Sequence, residues 1–237
     1  MISRVLVVLL LLTASLTTFA QEEVKKVARP DIPGTFLVDI GINQAVHEPE
    51  NFSQGFWGSR TLNLYYQYPL RFGRSKLSFN PGFGVSLERF KLKNNYSLNP
   101  SQDAEGTYAL YDTDTVFSGV KKSMIVANYF EIPLEFRFDS KPEDIATSFN
   151  FAIGARAGVL FDALTKIKYK EEGETKILKN KQNHGLNPFR YGVYTRIGVG
   201  GFNLFFIYNL SPLFEKDKGP DKTTMNTFTT GISINGF

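Results

Sequence analysis

The chain has 237 residues, a formal net charge of +4 and no cysteine. The missing cysteines exclude a disulfide framework, a thiolate metal site and a cysteine nucleophile, and the small positive charge does not indicate a nucleic-acid partner. Phenylalanine (22) and tyrosine (11) are abundant although the mean hydropathy is only −0.18, which excludes a protein that crosses a membrane with several helices but leaves a membrane β-barrel open.

The N-terminus has the pattern of an exported protein. Residues 1–20 combine a basic start, an unbroken apolar run from Val5 to Leu12 and a small-residue end, which predicts a cleaved secretory signal peptide. An uncleaved membrane helix is the weaker alternative, because the apolar run is short. Residues 21–33 are polar and predict a flexible periplasmic lead-in, and residues 34–237 show no break and are treated as one domain.

Alternation of apolar and polar residues begins at residue 34 and recurs in eight segments. The segment 127–138 is typical, with Phe130 and Leu134 on one side of the alternation and Glu131 and Glu135 on the other. A period of two predicts strands with one apolar and one charged face, and about ten to twelve residues are enough for a tilted strand to cross a bilayer. The predicted strands are 34–43, 61–72, 77–88, 127–138, 149–162, 189–199, 202–210 and 225–237.

The links between these segments alternate between long and short. The longest are residues 93–123 and 163–185, the second with a small hairpin around Glu172-Gly173, while Gly200-Gly201 is a tight turn. In an up-and-down sheet this order places every long loop on one side and both termini on the other. We therefore predict an all-β, eight-stranded antiparallel up-and-down transmembrane β-barrel with long extracellular loops and short periplasmic turns.

Two barrels fit this alternation, one in a membrane and one in water. A soluble barrel of the lipocalin kind would expose its polar face and fill it with lysine, yet the polar faces of the predicted strands contain no lysine. We therefore expect the apolar faces to meet lipid and the charged faces to line the interior, where opposite charges pair. The predicted interior charges are Asp39, Arg71, Glu88, Glu131, Glu135, Arg137, Arg156, Asp162, Arg190 and Arg196.

These interior charges have two interpretations. An eight-stranded barrel is just wide enough for side chains to fill, which favours a structural salt-bridge plug. The alternative is a conduction pathway or a proton-linked gate. Pro81, in the third predicted strand, cannot donate to the sheet and marks a local fault.

Two surface features are candidates for contact with lipid or protein. Trp57, with Phe52 and Phe56, predicts an interface anchor or alternatively a docking patch for a protein. The lysine-rich stretch 166–181 could meet lipopolysaccharide phosphates, but its three glutamates favour an ordinary solvated loop.

Several short motifs resemble a known family. The stretch Tyr129–Leu134, the Gly-Phe-Trp-Gly segment at 55–58 and the terminal Phe237 are similar to those of small outer-membrane barrels of Bacteroidota, the PorT-like and OmpA-type porin-family barrels. The resemblance implies insertion by the outer-membrane assembly machinery, with Phe237 as the insertion signal, although Ile232 and Ile234 are out of phase with it. Members of the family serve in type IX secretion, gliding and barrel insertion.

From these observations we expect a non-enzymatic scaffold or accessory subunit of an outer-membrane assembly, without cofactor or metal. The expected partners are outer-membrane lipid and lipopolysaccharide, the barrel-assembly machinery and other outer-membrane or periplasmic proteins. A narrow porin-like diffusion channel is the first alternative. A lipid A-modifying enzyme is the second, and its candidate residues are His47, Glu48, Ser53, Asp103 and His184, although no Gly-x-Ser-x-Gly motif is present. Asp112-Thr113-Asp114 resembles a Ca²⁺ loop only weakly and predicts a turn.

Overall fold

The computed structural model describes residues 34–236, and within them the chain is almost entirely β-structure. The predicted signal peptide, the lead-in and the terminal Phe237 lie outside the described residues. The strands are β1 (Thr35–Val46), β2 (Arg60–Gln67), β3 (Leu70–Arg71), β4 (Leu77–Leu92), β5 (Tyr96–Leu98), β6 (Leu110–Asp112), β7 (Lys122–Asp139), β8 (Phe149–Glu171), β9 (Glu174–Asn180), β10 (Phe189–Val199), β11 (Phe202–Asn209) and β12 (Asn226–Asn235). Short 3-10 turns occur at Phe56–Gly58, Thr113–Thr115, Ile145–Thr147 and Pro220–Lys222.

Eight of these strands form a closed antiparallel barrel. Around the ring the order is β1, β2, β4, β7, β8, β10, β11 and β12, and β12 pairs again with β1. The short β3 continues β2 beside β4, β9 pairs with the far part of β8, and β5 and β6 form a small separate sheet. The predicted fold class, an eight-stranded up-and-down barrel, is therefore confirmed. None of the helical turns among residues 34–236 is long and apolar enough to cross a membrane.

The two ends of the barrel differ in their connections. At the long-loop end the strands are joined by residues 47–59, 93–121, 172–188 and 210–225. At the short-turn end they are joined by residues 68–76, 140–148 and 200–201. The predicted alternation of long and short links is confirmed, and the predicted hairpin around Glu172-Gly173 is the turn between β8 and β9.

Polar residues point into the barrel and apolar residues point away from it. On β7, Glu131 and Glu135 are buried, whereas the neighbouring Phe130 and Ile132 are more than half exposed. A soluble barrel would show the opposite exposure, because its apolar face fills the interior. The closed ring also gives every barrel strand a paired neighbour on both sides, as a strand in lipid requires.

Several predicted strand ends are wrong. The second strand stops at Gln67 rather than at residue 72, because Pro69 has no N–H to donate. The third strand extends to Leu92, the fourth begins at Lys122 and the fifth extends to Glu171. The added part of each of these three strands includes basic residues, which interrupt the alternation of apolar and polar residues that marks the middle of the strand.

A shift in register explains why the alternation is hard to follow there. Between Asn128 and Tyr129 the pairing of β7 with β8 skips Phe161, which is a β-bulge. Because side chains alternate in steps of two, one extra residue exchanges the two faces of β8 beyond that point. Asp162 therefore lies on the outward side, where it accepts a hydrogen bond from Asn128 at 2.9 Å, and its predicted interior position is wrong.

The predicted fault at Pro81 lies one residue further along the strand. Pro81 itself pairs with Leu134. The pairing of β4 with β7 lapses at Gly82 and Phe83, where the register places Pro133, which also has no N–H, opposite Gly82.

Candidate functional site

The middle of the barrel holds four buried charged side chains from four strands. The four-charge cluster consists of Glu88 (β4), Glu131 (β7), Arg156 (β8) and Arg190 (β10). Arg190 donates from Nε and Nη2 to Glu131 Oε1 at 3.0 and 2.6 Å, and its Nη1 lies 2.6 Å from Glu88 Oε1. Arg156 lies 3.2 Å from Glu131 and 3.6 Å from Glu88, so two acids and two bases neutralise each other.

Aromatic and amide side chains complete this cluster. The Tyr65 hydroxyl donates to Glu131, and the Arg190 guanidinium lies 3.9 Å from the centre of the Tyr129 ring. Arg156 also donates to the Asn209 amide oxygen at 2.8 Å. The sequence alternation placed both tyrosines on the inward face but gave no reason to single them out.

A second set of charges lies nearer the short-turn end. The three-charge cluster consists of Asp39 (β1), Glu135 (β7) and Arg196 (β10), all buried. Arg196 donates to Asp39 at 2.8 Å and to Glu135, and Asn63 and Asn80 donate to these carboxylates at 3.4 Å. This cluster carries a net charge of −1.

A third set of charges stands at the rim of the short-turn end. Asp139 accepts a hydrogen bond from Arg137 Nε at 2.9 Å and lies 3.8 Å from Arg71 Nη2, which gives the rim a net charge of +1. These side chains, with Gln67 and Asn80, line a cavity of about 460 Å³ that opens at this end. The three sets contain five acids and five bases in all, so the interior is neutral.

The interior of the long-loop end is apolar instead of charged. The apolar cap is a buried core to which every long loop contributes at least one side chain, Phe52, Leu98, Leu186 and Phe214 among them. It packs against inward residues of the wall such as Phe90. The residues of the cap are Phe52, Phe90, Leu92, Leu98, Ile125, Ala127, Tyr129, Ala163, Leu186, Leu213, Phe214 and Met225.

Backbone hydrogen bonds tie the loops of the cap to one another. Leu186 and Phe214 form an isolated antiparallel bridge, and the Tyr108 amide donates to the Lys218 carbonyl at 2.9 Å. The Gln182 side chain donates to the Pro100 carbonyl at 2.6 Å. The long loops therefore form a folded cover over the barrel, which local sequence patterns could not reveal because its contacts join loops far apart in the chain.

The residues predicted for an enzyme are not brought together. His184 is fully buried in the cap, where its Nδ1 lies 2.7 Å from the Gln182 carbonyl, whereas His47 is exposed. Burial lowers the pKa of His184 below its usual range, and the bond to the carbonyl offsets this only in part. Within residues 34–236 neither histidine has a serine hydroxyl or a carboxylate as hydrogen-bond partner.

The other candidates have local roles. The Asp103 carboxylate accepts from the amides of Glu105 and Thr107, both at 2.9 Å, and from the Thr107 hydroxyl, which together lower the pKa of Asp103. Asp112 caps the short turn that follows it by accepting from Asp114, as the predicted turn requires. Among the described residues no cluster of three metal-ligating side chains occurs.

Trp57 stands on the surface near the outer end of β2. Its side chain is 85% exposed and contacts Phe56 edge-on with ring centres 5.1 Å apart, whereas Phe52 belongs to the cap.

Together the closed ring, the outward apolar face and the filled interior define a transmembrane β-barrel. Residues 32–215 match the family described as "Outer membrane protein beta-barrel domain", and the chain belongs to this family. Two solved structures of Ail, the attachment invasion locus protein of Yersinia pestis, are similar at 14% identity and cover 86% of this chain and 100% of theirs. Their TM-scores are 0.33 for Ail and 0.32 for Ail in complex with the heparin analogue sucrose octasulfate. Among curated proteins no match is found.

Proposed function

We propose that this protein is a non-conducting, non-enzymatic outer-membrane barrel that serves as a scaffold or accessory subunit of an outer-membrane assembly. The proposal is supported by the way in which the interior is closed. Paired charges fill the middle of the barrel, and the apolar cap covers its long-loop end. A barrel closed in this way acts through its surfaces.

A narrow channel is the less favoured alternative. Ions would have to displace Arg190 from Glu131 and Glu88, and breaking a buried, hydrogen-bonded ion pair costs about 3–5 kcal/mol. They would then meet the apolar cap, whose residues carry no charge. An enzyme is less favoured still, because the candidate histidines are separated and neither contacts a nucleophile.

One surface at the long-loop end suits a protein partner. The strand β9 pairs only with β8 among the described residues, so its second edge is free, and Ile177 and Leu178 on it are exposed. A free edge can accept a strand from another chain through main-chain hydrogen bonds. We propose this edge as the contact for a partner on the extracellular side.

Export, the subfamily and the route of membrane insertion are proposed from the sequence. A leader at residues 1–20 supports export, and the motifs at 55–58 and 129–134 support a place among the PorT-like and OmpA-type barrels of Bacteroidota. Insertion by the assembly machinery through Phe237 and contact with lipopolysaccharide belong to the same proposal.

The proposal is tested by purification from outer membranes in mild detergent, followed by planar-bilayer recording. We expect heat-modifiable gel migration, a stoichiometric protein partner and no conductance. The variant Ile177→Pro, which removes an N–H donor from the edge, should lose the partner, while Val116→Pro in another exposed loop should keep it. Steady conductance, or a barrel that purifies alone, would refute the proposed role.

A further inference from the structure

Basic side chains gather on the outward face of the sheet at the long-loop end. The strands β4, β7 and β8 reach beyond their predicted ends there, and each carries arginine or lysine at one or more outward positions of the added part. The outer basic patch consists of Arg60 (β2), Arg89 and Lys91 (β4), Lys122 (β7), and Lys166 and Lys168 (β8). The lysines 166 and 168 were predicted to lie in a loop, and this prediction is wrong because they belong to β8.

The register places these like charges beside one another. Arg60 is directly opposite Arg89, and Lys122 is directly opposite Lys168. The positive charges of Lys91 and Lys166 also act on Lys122. Like charges directly opposite on a sheet repel and are destabilising, so the arrangement calls for an anion that lies between them.

No acidic residue of the described chain supplies that anion. None of the six forms a salt bridge with another residue between 34 and 236. The nearest outward acid on β8, Asp162, lies 3.4 Å from Lys181 and accepts a hydrogen bond from Asn128. The patch is therefore open to an external ligand.

The surface around the basic patch is packed. Met124 and Val126 face outward on β7 yet are buried, as expected where long basic side chains lay their stems over apolar neighbours. The stem of Lys91 runs across Gly58, where an added Cβ would overlap it. The charged group of Lys91 is thus presented on a packed surface.

The height of the patch matches the headgroups of a lipid leaflet. A strand that rises about 3.3 Å per residue at a tilt of about 40° advances about 2.5 Å per residue along the barrel axis, so an apolar band of about 25 Å takes about ten residues. On β4 the outward residues are apolar from Leu77 to Leu87, a run of about that length. Arg89 and Lys91 occupy the next two outward positions of the same strand.

The patch occupies only one side of the barrel. The outward positions of β1, β10, β11 and β12 carry no charged residue. The exposed Trp57 follows Phe56 in the turn over which Lys91 lies, and tryptophan prefers the membrane interface. An aromatic anchor beside a group of cations is what a headgroup site requires.

We propose that the outer basic patch binds the phosphate groups of phosphorylated lipid headgroups in the outer leaflet. The site holds the lipid on one side of the barrel. The protein therefore turns that side toward the bound lipid. This inference rests on the proposed contact with lipopolysaccharide, for which it names the side chains, but it does not depend on the scaffold role, because it concerns lipid and not protein.

The test compares matched variants of the full mature barrel in detergent, with native mass spectrometry and titration at low salt. The probe is bisphosphorylated lipid A, compared with the same lipid after removal of its phosphates and with inorganic phosphate. The variant Lys122→Gln/Lys166→Gln/Lys168→Gln should bind the phosphorylated lipid about 100-fold more weakly, since each basic side chain near an anionic surface contributes about a fivefold factor.

Two controls separate the site from general charge and from folding. Arg74→Gln/Lys76→Gln/Lys141→Gln removes the same charge from exposed positions at the short-turn end and should leave the affinity unchanged. Lys122→Arg/Lys166→Arg/Lys168→Arg keeps the charge and should retain binding, with heat-modifiable migration confirming that each variant is folded. Equal losses in the two glutamine variants, equal binding of the dephosphorylated lipid, or displacement of the lipid by an equal concentration of inorganic phosphate would each overturn the proposal.

Discussion

Replacing Arg190 with methionine tests whether the buried charges hold the barrel together. The change keeps much of the side-chain volume but removes the charge, so Glu88 and Glu131 keep only Arg156 as an ionic partner and the four-charge cluster becomes negative. Removing one partner of a buried ion pair costs about 3–5 kcal/mol. For a chain of this size, about 2–4 °C per kcal/mol gives a fall in Tm of about 6–20 °C.

The measurement is the temperature at which the heat-modifiable band of the detergent-folded barrel disappears, together with urea unfolding. Glu88→Gln added to Arg190→Met restores neutrality and should recover about half of the loss, although Glu88→Gln alone should be destabilising. If Arg190→Met has the same Tm as the wild type, or if Arg190→Met/Glu88→Gln is less stable than Arg190→Met, the four-charge cluster does not stabilise the middle of the barrel.

Three further changes test other parts of the structure, the first two by the same unfolding assay and the third by protease sensitivity. Arg137→Ala, at the rim of the short-turn end, should lower the free energy of unfolding by only about 1 kcal/mol. It removes one hydrogen-bonded ion pair, and water can replace that interaction at the rim. Gly231→Ala should lower the free energy of unfolding by about 1–3 kcal/mol, because the added Cβ overlaps the Ile40 carbonyl of β1. Ser233→Ala on the same strand is the control and should change it little, because the Ser233 hydroxyl makes no hydrogen bond. His184→Gln should abolish an acid-induced loosening of the cap that His47→Gln leaves in place.

The sign of the His184 effect follows from its lowered pKa. The unfolded chain takes up a proton near pH 6.5 while the buried imidazole in the folded cap does not, so the contribution to stability is complete above that pH and is lost as the pH falls through the lower folded-state value. Protease sensitivity of the long loops between pH 7.5 and pH 5 measures the loosening. An unchanged pH profile in His184→Gln would remove this histidine as its cause.

The alternation of apolar and polar residues is enough to determine most of the barrel. A period of two, repeated in eight segments with links of alternating length, leaves little choice but a closed up-and-down sheet, and the absence of lysine from the polar faces distinguishes the interior from the exterior. The interior position of residues such as Glu131 and Arg196 follows from the same alternation, because each residue in a strand has one of only two faces.

Alternation could not locate a bulge. The extra residue at Phe161 exchanges the faces of β8, which moves Asp162 to the outside and gives Lys166 and Lys168 their outward direction. Nothing in the local sequence marks this position, because the bulge is a property of the pairing between β7 and β8.

Which charges pair, and what closes the barrel, were decided only by the tertiary structure. Arg190 meets Glu131 across 59 positions of sequence and Arg196 meets Asp39 across 157, and such contacts depend on how strands are staggered around the ring. The apolar cap likewise joins Phe52, Leu98 and Phe214 from separate loops that carry no periodicity. The sequence determined which face of each strand is buried, because the alternation within a strand is a local property. The partners of the buried side chains depend on how the barrel closes, which is not a local property.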